Sequence, residues 1–82
     1  MQKQKLIQNV SFGQNLKKIR TSRSLSQNDM IRELELKGRA MSRANYAHIE
    51  QGVRNVFVSD LVLFKEILDV SFDDFFEGLV SE

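Results

Sequence analysis

Cysteine and proline are both missing from this chain, and histidine occurs once. Without cysteine there is neither a disulfide framework nor a thiolate metal site, and His48 cannot build a metal centre by itself. Packing alone must hold the fold. With proline absent, β-branched residues do not alternate with polar ones over any useful length, and apolar residues recur at spacings of three and four. The chain therefore reads as all-α. Long apolar runs are also missing, and Met1 is followed by Gln2 and Lys3 rather than by an apolar signal region. Neither a membrane span nor a secretory leader is expected, which points to the cytoplasm. No glycine-rich phosphate loop, paired nucleophile and base, or metal-ligand cluster appears, and Asp73 with Asp74 reads as first-turn helix charge. An enzyme is not expected, and neither is a cofactor, a metal or a small-molecule ligand.

What is present is one small domain's worth of chain, 82 residues with 41% hydrophobic content, near the size at which a single core gives modest stability. No room is expected for a separate effector domain. The formal net charge is +1, which alone argues for no partner. Its distribution does. Residues 1–54 hold eleven Lys or Arg against four acids, a net +7, whereas residues 55–82 hold Lys65 against seven acids, a net −6. A basic front and an acidic back orient a molecule toward a polyanion.

Residues 1–10 are polar, carry Lys3 and Lys5, and read as a flexible arm, leaving residues 11–82 as the domain. Ser11 with Gln14 resembles a capping box for a first helix from Phe12 to about Ser22, whose stripe is Phe12, Leu16 and Ile19, with Arg20 one position further round. A second helix is expected over Gln27–Lys37 and a third over Arg43–Gln51, with Gly52 as its left-handed stop. Val53 to Val58 is a connection. Ser59 is the expected cap of a fourth helix carrying Leu61, Phe64, Ile67 and Leu68. Asp69 falls where that helix must turn out, a place that usually favours glycine. Ser71 with Asp74 caps a fifth helix carrying Phe72, Phe75, Phe76 and Leu79. No internal repeat or low-complexity segment is found.

The segment from Ser26 to Gly52 carries the functional signal. It consists of two helical patterns joined by a turn containing Gly38, the second opening on a small polar and basic cluster. Ser26 caps the first, with Asp29 in its first turn where a carboxylate suits the helix dipole. Met30, Ile31 and Leu34 share one face. Ser42 offers the second cap, after which Tyr46 and Ile49 point inward and Arg43, Ala44, Asn45 and His48 point outward. Arg can pair two-fold with guanine, Asn with adenine, and Ala can touch a thymine methyl. A positive charge at Arg43 is poor for the helix itself, so its benefit lies outside the helix.

Leu25-Ser26-Gln27, Ser42-Arg43, Ile49-Glu50-Gln51-Gly52 and Leu68-Asp69-Val70-Ser71-Phe72-Asp73 together resemble the phage-repressor-like helix-turn-helix proteins, the Cro and xenobiotic-response-element type. The resemblance covers about residues 12–78. It implies a compact five-helix, lambda-repressor-like domain, prokaryotic or phage-encoded, with the third helix as recognition helix. Two departures stand out: Ile31 replaces a small residue and Glu35 a glycine, and about five extra residues around Leu36 to Ala40 lengthen the turn, as in the longer-turn branch. Carried over, the resemblance places Ser26 and Gln27 near a phosphate, where helix N-terminal amides favour anions. It sets Arg43, Ala44, Asn45 and His48 against bases, Ser42 at the cap, and Gln51 and Arg54 near the backbone. Lys37 and Arg39, on the extension, are expected to add phosphate contacts. It also implies a buried structural ion pair between Arg20 and Glu50.

Phe72, Phe75, Phe76, Leu79 and Val80 exceed what one short helix buries against a small core. Phe72, Phe76, Leu79 and Val80 are therefore expected to form a symmetric dimer interface, setting two recognition helices about 34 Å apart, one turn of duplex. The leading expectation is a sequence-specific double-stranded DNA-binding regulator of transcription, a repressor acting as a homodimer on a palindromic operator. An antitoxin or a restriction-modification controller protein shares fold and size, and a protein-interaction module that keeps the fold without binding DNA remains a separate class.

Overall fold

The computed structural model describes residues 5–7 and 10–78, with side chains from Phe12 onward. In chain order the elements are β1 (Lys5–Ile7), α1 (Val10–Ser22), α2 (Gln27–Leu36), α3 (Arg43–Glu50), β2 (Val56–Phe57), α4 (Val58–Leu68) and α5 (Phe72–Phe75). The fold is all-α apart from the two short strands. These pair antiparallel, Lys5 opposite Phe57 and Ile7 opposite Val56, with an irregularity between the two pairs. Part of the segment read as an arm is thus held by backbone pairing, while residues 1–4 and 8–9 lie outside the described residues. Nothing in so short a run reveals a strand, because its partner lies some fifty residues away.

Local chemistry sets the helix ends. At α2 the Ser26 hydroxyl accepts the Asp29 N–H at 3.0 Å while Asp29 Oδ2 accepts the Ser26 N–H at 2.8 Å, a reciprocal capping box. At α3 the Ser42 hydroxyl accepts the Asn45 N–H at 3.0 Å. The end of α2 is closed by Gly38, at φ +89, with its N–H on Glu35 and the Arg39 N–H on Leu34. Gly52, at φ +79, does the same for α3, with bonds to Ile49 and from Val53 to His48. Asp69 takes the left-handed conformation at the end of α4, at φ +55.

Three helices differ from the sequence reading by more than one residue at an end. Helix α1 begins at Val10, so Ser11 lies inside it rather than capping it. Helix α4 begins at Val58 with Phe57 as its cap, because the chain leaves β2 extended, at φ −82 and ψ 151, and turns directly into the helix. Ser59 is consequently a first-turn residue. Helix α5 is four residues long, its entry held by Asp74 Oδ2 accepting the Ser71 N–H at 3.1 Å. Leu79 and Val80 lie outside the described residues.

The core gathers one face from every helix: Phe12, Leu16, Met30, Leu34, Met41, Tyr46, Ile49, Val56, Leu61, Phe64, Leu68 and Phe75. Tyr46 and Phe64 meet edge to face at 5.9 Å, a favoured aromatic geometry. Phe76 packs half-buried against this core, with its ring 5.7 Å from Phe12. No helix among the described residues is long and apolar enough to cross a membrane.

Gly13 lets α1 and α3 approach. A Cβ built there lies 2.7 Å from the Ile49 carbonyl oxygen and against the Glu50 carbonyl, both backbone groups with little freedom to retreat. Gly13→Ala should therefore lower unfolding free energy by about 2–3 kcal/mol through overpacking. Gly38→Ala, with open space around it but a positive φ, should lose about 1–2 kcal/mol through backbone strain alone. Chemical denaturation of both variants checks the order.

Candidate nucleic-acid interface

The placement of α3 is set at its C-terminal end by a buried carboxylate. Arg20 Nε donates to Glu50 Oε2 at 2.7 Å and Arg20 Nη2 to Glu50 Oε1 at 3.1 Å. Arg20 Nη1 donates to the Leu25 carbonyl at 2.6 Å, and Gln27 Nε2 donates to Glu50 Oε1 at 3.0 Å. Side-chain exposure is 8% for Arg20 and 3% for Glu50. Helices α1, α2 and α3 thus meet on one charged group. Burial is the largest influence on Glu50 and opposes its ionisation, but hydrogen bonds from Arg20 and Gln27 together with the Arg20 charge outweigh it. The net effect holds the carboxyl below its ordinary value. The Glu50 bond also raises Arg20. Burial first, and then the neighbouring carboxylate, push the Tyr46 phenol far above its ordinary value, so it stays neutral.

With that end fixed, the N-terminal half of α3 faces outward. Arg43, Ala44 and Gln51 are exposed, as is Arg54 beyond the helix, and neither Arg43 nor Arg54 has a protein partner among the described residues. Asn45 and His48 are half-buried. A cleft of about 610 Å³ runs along this flank, with Ser42, Ala44, Asn45, His48 and Arg54 among its lining residues. Asn45 Oδ1 is buried without a hydrogen-bond partner. The cleft is also lined by Asn55, a polar residue sequence reading missed because the stretch 53–58 registers only as a connection.

The start of α2 meets α3 at its C-terminal end, through Gln27 and Glu50. Ser26 is exposed but its hydroxyl is engaged as the cap. The Asp29 carboxyl is held below its ordinary value by the Ser26 backbone N–H and hydroxyl, and further by Arg32, whose Nη2 lies 2.9 Å away.

Four expected site residues are placed differently from the sequence reading. The Gln27 side-chain amide is engaged by Glu50, which leaves the helix N-terminal backbone rather than this side chain as the group able to meet an anion. Lys37 Nζ lies 3.8 Å from Glu66 Oε1. Arg39 Nε donates to Asp60 Oδ1 at 2.9 Å. Both turn cations are drawn to acids of α4, which the linear charge count assigns to the opposite side of the molecule. Phe76 belongs largely to the core, because Phe12 comes within reach of it; Phe72 stays 40% exposed, with Lys65 Nζ 5.4 Å from its ring centre. Among the described residues no three His, Asp or Glu side chains gather as a metal site.

No family profile matches the chain, and no curated protein matches it. Among solved structures the chain is similar to the restriction-modification controller protein C.AhdI from Aeromonas hydrophila, at 31% identity and a TM-score of 0.68, covering 82% of this chain and 94% of that one. The chain belongs to the Cro/C1-type helix-turn-helix family. Helices α2 and α3 are accordingly its helix-turn-helix pair, and the six-residue connection 37–42 is the turn.

Removing one partner from the Arg20–Glu50 pair strands the other charge in the interior. Arg20→Met and Glu50→Gln should each destabilise by about 3–5 kcal/mol, and the double variant by clearly less than their sum. The pH dependence follows from the lowered Glu50 value. Its contribution is fully present above the ordinary value of 4.5 and is lost as pH falls through the lower folded value. Denaturation from about pH 7 to about pH 2 should show Glu50→Gln less stable at neutrality and with a flatter acid limb.

Proposed function

We propose that the chain is a sequence-specific double-stranded DNA-binding regulator of transcription whose α3 lies in the major groove. The observation that carries this reading is the outward flank of α3. Arg43, an unpaired cation in the first turn of a helix, stands beside Ala44 and Asn45 on an element locked from behind by Glu50. Arg43, Ala44, Asn45 and His48 meet base edges, while the α2 N-terminus at Ser26 and Gln27, together with Ser42, Gln51 and Arg54, faces the sugar-phosphate backbone. The chain acts as a homodimer on a palindromic operator, with exposed Phe72 and the residues around Leu79 and Val80 forming the contact between copies, and it represses by occupying the site.

One observation favours a more specific role. The likeness to C.AhdI extends over 94% of that chain, which supports a restriction-modification controller above an antitoxin. The genes next to the bound operator decide it, since a restriction and methylation pair marks a controller.

Selection from a random DNA pool at physiological salt should enrich an inverted repeat with half-sites about one helical turn apart. Against that site Arg43→Ala should lose about 1–3 kcal/mol and relax preference at one base position. Arg54→Ala should weaken all sequences alike and reduce the salt slope by about one. Failure to enrich any sequence, with affinity indifferent to salt, contradicts the reading. Sedimentation showing monomers alone at tens of micromolar removes the dimer.

A further inference from the structure

The turn joining α2 to α3 has to deliver the recognition helix across residues 37–42, and its hydrogen bonds show how. Its start is fixed by Gly38 and Arg39 bonding back into α2, and its end by the Ser42 cap. Between these, Met41 is buried in the core. Arg39 makes two further bonds, Nε to Asp60 Oδ1 at 2.9 Å and Nη1 to the Ala40 carbonyl at 2.7 Å. The Arg39 side chain is 29% exposed and that of Asp60 only 3%. Lys37 leans the same way, toward Glu66, but both of those groups are open to solvent and water screens such a pair.

Asp60 is a buried carboxylate in the first turn of α4. The helix dipole favours it there, and Arg39 is the partner that answers its charge. Burial makes the direction of this bond consequential: a surface pair can re-form in many geometries, whereas an acid held inside the fold admits its partner from one side. The guanidinium plane also bonds the Ala40 carbonyl, so the backbone one residue further along is tied to the same point. Helix α3 is thereby held at both ends. Glu50 secures its C-terminus to α1 and α2, and the Arg39–Asp60 bond secures the approach to its N-terminus to α4. That N-terminus carries Arg43, Ala44 and Asn45.

We propose that Arg39 and Asp60, which line the same cleft as Ala44 and Asn45, form a strut that sets the pitch of the recognition helix, making them positioning residues for base reading that act through the turn. The consequence for base reading rests on the DNA-binding function proposed above; the effect on the turn does not. A contact to phosphate by Arg39 is the competing role, and the two differ in what they do to Asp60 and to the salt dependence.

The test uses the full chain carrying Arg39→Gln, Asp60→Asn, or both. Amide hydrogen exchange is followed without DNA, and affinity is measured for the selected operator and for an unrelated duplex across a salt series. Each single variant should speed exchange over residues 37–42 by about tenfold or more while α1 and the C-terminal half of α4 keep their protection. Each should also reduce the preference for operator over unrelated duplex by about tenfold or more without changing the salt slope. The double variant should do no worse than the weaker single, because one bond is lost in each case. Unchanged exchange in the turn overturns the strut. So does Arg39→Gln lowering the slope by about one on both duplexes while Asp60→Asn leaves operator preference intact, the signature of a phosphate contact. A loss of operator and unrelated binding in equal proportion, matching a fall in the folded fraction, also overturns it. A wild-type chain that selects no sequence contradicts the regulator and leaves the exchange measurement to decide the strut alone.

Discussion

A carboxylate placed inside a small helical domain stays ionised only if donors converge on it, and around Glu50 those donors come from two other helices. Arg20 brings α1, Gln27 brings α2, and the carboxylate itself stands on the last turn of α3. Desolvation is a large cost at such a site, so the pair specifies geometry more than it adds stability. Gly13 is part of the same constraint, because α1 can bring Arg20 to Glu50 only where no Cβ intrudes on the end of α3. The outward direction of Arg43 and Ala44 follows: with Tyr46 and Ile49 buried and Glu50 fixed, the remaining side of a two-turn helix has nowhere to point but away from the core.

Charge acts twice in this molecule, once in the fold and once at the surface. Of the cations that make the first two-thirds of the chain basic, Arg20, Arg32, Lys37 and Arg39 face protein carboxylates, and Arg23 caps α4 by donating to the carbonyls of Leu68 and Asp69. The acids of α4 are thus more than a solvated far side, since Asp60 and Glu66 draw in the cations of the lengthened turn. Arg43 and Arg54 remain exposed at the two ends of α3, as Lys17 and Lys18 do on α1.

The helices and most of their ends were legible because the determinants are local. Ser26 with Asp29, Ser42, Gly52 and Asp69 each act within a few residues, and a reader of the chain needs only capping and left-handed propensities to place them. The cap of α4 was not, because Phe57 reaches that position by following a strand and has no capping side chain, and Ser59 looks better on paper. Side-chain partners across the fold were the least legible. Gln27 looks like a polar residue free for a ligand until Glu50 is beside it, and Arg39 looks like a free cation until α4 folds back to bring Asp60 within reach. Phe76 reads as surplus apolar surface until Phe12 meets it. The Arg20–Glu50 pair was named only through family resemblance, since neither spacing nor composition links residues thirty apart.

The claim on which this account turns is that Glu50 holds α3 so that its polar flank is the surface DNA meets. Backbone amide shifts recorded while a duplex enriched from a random pool is added test it most directly. The largest changes should fall at residues 26–28, 42–48 and 54–55, with α1 and α5 little affected. Changes centred on α1 or α5, with residues 42–48 unmoved, would contradict it.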